Sequence, residues 1–79
     1  MALNINTITD MQGVTYENTY GVVELSGNNA NLAVWTNAEK TQGLNTTVLG
    51  GVYEVDPAQA DADTVAALAA VGITATIIE

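Results

Sequence analysis

One helix frame, Asp56-Pro57 at its start and Gly72 at its end, stands in a chain otherwise cut into short β-rich runs. An Asp at the N-cap satisfies orphan backbone N–H groups, a proline at the first helical position sacrifices no hydrogen bond, and a glycine accepts the left-handed backbone that closes a helix. The Ala-rich stretch to Val71 has high helix propensity. Val65, Leu68 and Ala69, with Ala62, are expected to line its buried face. Asp61 and Asp63 suit the positive end of the helix dipole. A rival boundary starts the regular helix at Asp61 or Asp63 and leaves 56–60 as a turn.

The rest reads as strands. The first ten residues alternate loosely, with Leu3 and Ile5 on one side and Asn4 and Asn6 on the other, before Met11-Gln12-Gly13 breaks the pattern, and 1–12 is read as an extended N-terminal arm or edge strand. Thr, Tyr and Val dominate 14–25, as in strands. Tyr16, Tyr20 and Val22 share a parity there, Val23 and Leu25 take the other, and Gly21 is the expected site of a bulge where the facing changes. Ser26-Gly27-Asn28-Asn29 is a turn cluster, and Ala30 to Thr36 follows as a second strand, together a β-hairpin. Residues 37–46 read as an exposed polar loop. A third strand, interrupted at Gly50-Gly51, is expected over 47–49 and 52–55, and a last one over 73–78. Strand, helix, strand suits a right-handed crossover with the third and last strands parallel. The expectation is a single α+β domain over 1–79: a small mixed sheet with the one helix packed on a face.

The size of this domain limits its stability. A chain of 79 residues buries only about 60–65% of the surface it exposes when unfolded. A margin of roughly 3–5 kcal/mol is then expected. The sequence has no Cys and no His, which removes disulfides, thiolate metal sites, the commonest metal ligand and the usual general base. Association with other chains is the support that remains. No apolar run approaches the ~18–20 residues of a membrane span. Met1-Ala2-Leu3-Asn4-Ile5-Asn6 lacks the pattern of a secretory signal, so a chain kept or assembled in a cytoplasm is expected.

Charge excludes more. Nine acidic residues against the single base Lys40 give a formal net charge of -8. Phosphate neutralisation needs Lys and Arg, so no nucleic-acid partner is expected, and for the same reason no anionic membrane. A basic protein surface is the electrostatically reasonable partner. The plain alternative is that the acid maintains solubility.

Catalytic constellations are missing from the sequence. Ser26 is its only serine and Lys40 its only lysine, and neither lies in a context that would activate a nucleophile. Glu17 with Glu24, or Asp61 with Asp63, are the candidate acid–base pairs, but helix capping explains the second. Asp56, Asp61 and Asp63 do not match the spacing of a calcium loop. Asn45-Thr46-Thr47 matches a glycosylation acceptor without a secretory context. A protein without catalytic groups, metal or cofactor is expected. Its aromatics, Tyr16, Tyr20, Trp35 and Tyr53, either fill a core that lacks Phe or form a contact face. With Leu3, Ile5 and Ile77 of the strand-like ends, they are the candidate interface residues.

The start Met1-Ala2-Leu3-Asn4-Ile5, the hairpin Tyr20-Gly21-Val22-Val23-Glu24 with Leu32-Ala33-Val34-Trp35, and the acidic, Cys-free balance resemble small virion proteins of tailed bacteriophages. The resemblance spans the length of the chain but rests on no diagnostic motif. It implies a role and no site: a structural subunit that binds other virion proteins or copies of itself, as a capsid decoration (cement) protein or a tail or baseplate accessory, assembled in the host cytoplasm into the virion. The alternative from another class is a stand-alone acidic module or inhibitor that docks on a basic protein surface.

Overall fold

The computed structural model describes residues 2–44 and 49–78. Its elements run β1 (Ala2–Thr9), β2 (Thr15–Ser26), β3 (Asn29–Trp35), β4 (Gly43–Leu44), β5 (Val52–Glu54), a 3-10 turn (Pro57–Gln59), α1 (Ala60–Ala70) and β6 (Ala75–Ile78). The strands form one sheet in the order β4-β3-β2-β1-β6, with β5 pairing β3 on the same edge as β4. The α+β class holds. The sheet is antiparallel at every pairing rather than mixed. β5 and β6 run the same way but at opposite edges, because α1 carries the chain across the whole sheet.

The segment read as an arm or edge strand is an interior strand of the sheet. β1 lies between β2 and β6 and supplies Leu3, Ile5 and Ile8, the most deeply buried large aliphatic side chains of the sheet. With Val34, Leu68 and Ala75 they make the main core. Each large aliphatic side chain buried this fully contributes about 1.5–3 kcal/mol. Asp10 closes the β1–β2 turn: its carboxylate Oδ1 accepts from the backbone N–H groups of Gln12 at 2.9 Å and Val14 at 3.0 Å.

The facing of β1 and β2 changes partway along, at Asn18 rather than at Gly21. Leu3 and Ile5 are buried, then Ile8; opposite them Thr19 and Gly21 are buried, then Tyr16 packs on the core. Both strands therefore shift parity between Ile5/Thr19 and Ile8/Tyr16, and the register does not slip. Asn18 has φ +53 in the middle of β2, a left-handed conformation that asparagine tolerates better than most residues. The backbone bonds shift with it. Asp10 donates to Val14 of the β2 side, whereas Asn6 donates at 2.9 Å to Thr74 of the β6 side. In an unbroken strand, residues of one parity bond to one side only.

Gly21 instead sits at a close approach. A Cβ there would stand 3.0 Å from Ile5 Cδ1 and 3.3 Å from Leu32 Cδ1, so the glycine lets two aliphatic tips meet over the strand. β2 and β3 join through the two-residue loop Gly27-Asn28. Gly43 and Leu44, expected in a loop, pair with Trp35 and Val34. Of the expected third strand, only 52–54 is strand; Leu49 is in a turn, and Thr47 and Val48 lie outside the described residues, as does the acceptor triplet 45–47.

Asp56 does act as an N-cap, but of the 3-10 turn, where its Oδ1 accepts from Ala58 N at 3.0 Å. The regular helix begins at Ala60. Its end follows the expected chemistry: Gly72, at φ +83, donates to Ala69 O and Ile73 to Leu68 O, the paired bonds of a Schellman motif. The buried stripe is Ala60, Thr64 and Leu68, while Ala62 and Ala69 are exposed and Val65 is half-buried. Thr64 is not legible as a core residue in the sequence, because a polar residue at a core position is recognised only from its partners.

Candidate contact face

α1 covers one face of the sheet and leaves the other without a covering element among the described residues. The register fixes what the open face carries. Alternation puts Ala2, Asn4, Thr76 and Ile78 there from β1 and β6, and Tyr20, Val22 and Glu24 from β2. From β3, β4 and β5 come Asn31, Ala33, Trp35, Gly43, Val52 and Glu54. Two rows cross the strands. One is Ile78, Ala2, Val22 and Ala33; the other is Thr76, Asn4, Tyr20, Trp35 and Gly43.

Trp35 and Tyr20 stand directly opposite on adjacent strands and are each half-buried. The indole lies along Gly43, where a Cβ would come 3.4 Å from the ring. The ammonium of Lys40, the chain's only base, sits 5.9 Å from the ring centroid on the Trp35 side, within cation–π range. Glu24 and Glu54 flank the apolar rows toward the β2–β3 hairpin, and Glu17 is exposed beyond the switch at Asn18. The face thus has an apolar, aromatic centre and an acidic margin.

The expected interface residues divide. Leu3 and Ile5 are fully buried, with 0% exposure, and are core rather than interface. Tyr16 packs on the main core beside Ile8. Tyr53 packs on Ala30, Val55 and Ala60 beneath α1. Tyr20 and Trp35 lie on the open face, and Ile77 is 38% exposed at the β6 edge. Val22, Ala33 and Ile78 belong to the same face as Tyr20. The shared parity of Tyr20 and Val22 was the available signal; the contributions of β1 and β6 depend on which strands become neighbours.

Tyr53 has a structural task. Its hydroxyl is 2.8 Å from Thr64 Oγ1, and Thr64 in turn donates at 2.8 Å to Ala60 O. The threonine proton is used, so the phenol is the donor. Burial pushes the Tyr53 hydroxyl above its ordinary 10.0; the hydrogen bond with Thr64 pulls it down, and the charge of Asp61 raises it further.

The polar groups considered for chemistry are placed apart or already engaged. Ser26 is exposed at the end of β2, and Lys40 is in an exposed loop. A depression of about 550 Å³ is lined by Asn28, Glu54, Val55, Asp56, Pro57 and Asp63. Two of its three carboxylates cap backbone: Asp63 Oδ2 accepts from Asp56 N at 2.8 Å, and Asp56 from Ala58 N. Among the described residues, no group of three or more His, Cys, Asp or Glu could hold a metal ion, and no helix is long and apolar enough to cross a membrane.

Set against family models, curated proteins and solved structures, the chain matches none.

Proposed function

We propose that this chain is a non-enzymatic structural subunit of a tailed-bacteriophage virion, a capsid decoration protein or a tail or baseplate accessory, and that it binds other virion proteins to stabilise the particle. The observation that carries the reading is the open sheet face. Tyr20 and Trp35 sit at its centre with Val22 and Ala33, and aromatic residues set among apolar neighbours are the usual anchors of protein contacts. The acidic margin, with Glu24 and Glu54, suits a virion partner whose apolar patch is bordered by Lys or Arg. The resemblance to small phage virion proteins supplies the setting, and assembly would take place in the host cytoplasm.

The test is quantitative mass spectrometry of purified particles. A fixed ratio of this chain to the major shell or tube subunit supports the reading, and its absence from particles sinks it. The paired change Tyr20→Ala with Trp35→Ala should lower occupancy while leaving the circular dichroism spectrum unchanged.

A second reading, an acidic module that docks on a basic soluble protein, draws on the three carboxylates around one depression, Glu54, Asp56 and Asp63. It predicts tight binding to one soluble protein, weakened steeply by salt, and no incorporation into particles.

A further inference from the structure

The two edges of the sheet are unlike. One is made of β4 and β5, two and three residues long, with Leu49, Gly50 and Gly51 outside the ladder. Short, broken strands blunt an edge against pairing with other chains. The other edge is β6, four regular residues, Ala75-Thr76-Ile77-Ile78, without a charge or a proline. Ile77 and Ile78 are 38% and 41% exposed there.

The ladder with β1 fixes which backbone groups of β6 are free. Asn6 N donates to Thr74 O, its register partner. Bonded and unbonded pairs alternate in an antiparallel ladder, so Thr76 bonds with Asn4 and Ile78 with Ala2. The N–H and C=O groups of Ala75 and Ile77 then point away from β1. None of them has a hydrogen-bond partner among the described residues.

We propose that two copies of this chain join edge to edge through β6, antiparallel, with Thr76 on the two-fold axis. A two-fold axis normal to the sheet keeps each face on its own side, so opposed residues must share a face. It also requires that bonded pairs be drawn from Ala75 and Ile77. Centring on Thr76 meets both conditions: Ala75 of each copy bonds with Ile77 of the other, and every outward group of both residues is satisfied. On the helix side, Ile77 of one copy then covers Ala75 of the other, itself part of the main core.

The self-complementary register points to a second copy, and neither β6 nor β1 itself carries a charged side chain in a chain of net charge -8. Asp61 lies with Ile77 around one depression on the helix side and Glu79 follows β6 in the sequence, so two copies repel at low salt, and that repulsion is screened within about 8 Å at physiological salt. The inference does not depend on the virion reading, since the dimer forms in the isolated chain whatever larger body it joins.

The natural sequence contains no Cys, so one substitution reports the register. Opposed residues of an unbonded antiparallel pair have Cα atoms about 4.5 Å apart, inside the ~4.4–6.8 Å that a disulfide spans. Thr76→Cys under mild oxidation at about 0.5 M salt should give a covalent dimer as the main product. Thr9→Cys, exposed at the far end of β1, should give little. In parallel, light scattering of the unmodified chain should show a dimer that tightens as salt rises. Ile77→Lys should raise its dissociation constant by about tenfold or more, with circular dichroism confirming that each variant is folded. A monomer at every salt concentration, or cross-linking of Thr76→Cys no greater than that of Thr9→Cys, overturns the proposal.

Discussion

The hydroxyls of Tyr53 and Thr64 meet at 2.8 Å and tie α1 to β5, on the opposite side of the sheet from β6. Thr64 is fully buried in the helix stripe, and its second bond, to Ala60 O, leaves no polar atom of the pair without a partner. Tyr53→Phe should cost about 0.5–1.5 kcal/mol in urea unfolding, and Thr64→Val a similar amount. Because each change removes the same bond, the double variant should cost less than the sum of the two. Simple additivity would mean that the bond contributes nothing.

The same pair sets a pH dependence. The folded-state pKa of Tyr53 lies above its ordinary 10.0, so the native state holds the phenolic proton more tightly than the unfolded chain. That contribution is fully present below the unfolded value and is lost as pH rises through the folded one. Thermal melts of the natural protein should therefore lose stability above about pH 10 more steeply than those of Tyr53→Phe. Parallel curves for the two proteins would contradict the assignment.

Asn18 carries the change of facing in β2. Its φ of +53 costs an ordinary L-residue about 1–2 kcal/mol. Asn18→Val should lower stability by that order in chemical denaturation, and Asn18→Gly should change it little or raise it. Equal melting temperatures for the two variants would remove Asn18 as the cause of the switch.

Gly21 marks a steric limit. Gly21→Ala places a methyl against Ile5 Cδ1 and Leu32 Cδ1, and the side-chain tips must turn aside. A destabilisation of about 1–3 kcal/mol is expected from overpacking. Pairing it with Ile5→Val should recover part of the loss, measurable as a rise in melting temperature over Gly21→Ala alone.

Core and contact residues should separate experimentally. Leu3→Ala empties a fully buried site and should cost about 2–5 kcal/mol. Trp35→Ala removes a half-exposed side chain from the open face and should cost less than Leu3→Ala in the same assay. The reverse order would place the indole in the core.

How much of this was legible in the sequence follows the range of the forces involved. The helix end at Gly72, the capping by Asp56 of the turn that leads into the helix, and the hairpin around Gly27-Asn28 could be read directly, because caps and tight turns are satisfied by residues a few positions apart; the start of the regular helix at Ala60 could not. The acid excess and the lack of Cys and His are properties of the chain before it folds. Only the tertiary structure placed β1 inside the sheet, because its second neighbour, β6, comes from the far end of the sequence and no local rule chooses it. Only the structure put Tyr16 in the core and Tyr20 on the open face despite their shared parity, since one left-handed residue at Asn18 resets a period of two. And the unprotected edge became β6 because α1 crosses the entire sheet before the last strand is laid down, a consequence of packing one helix over all its strands.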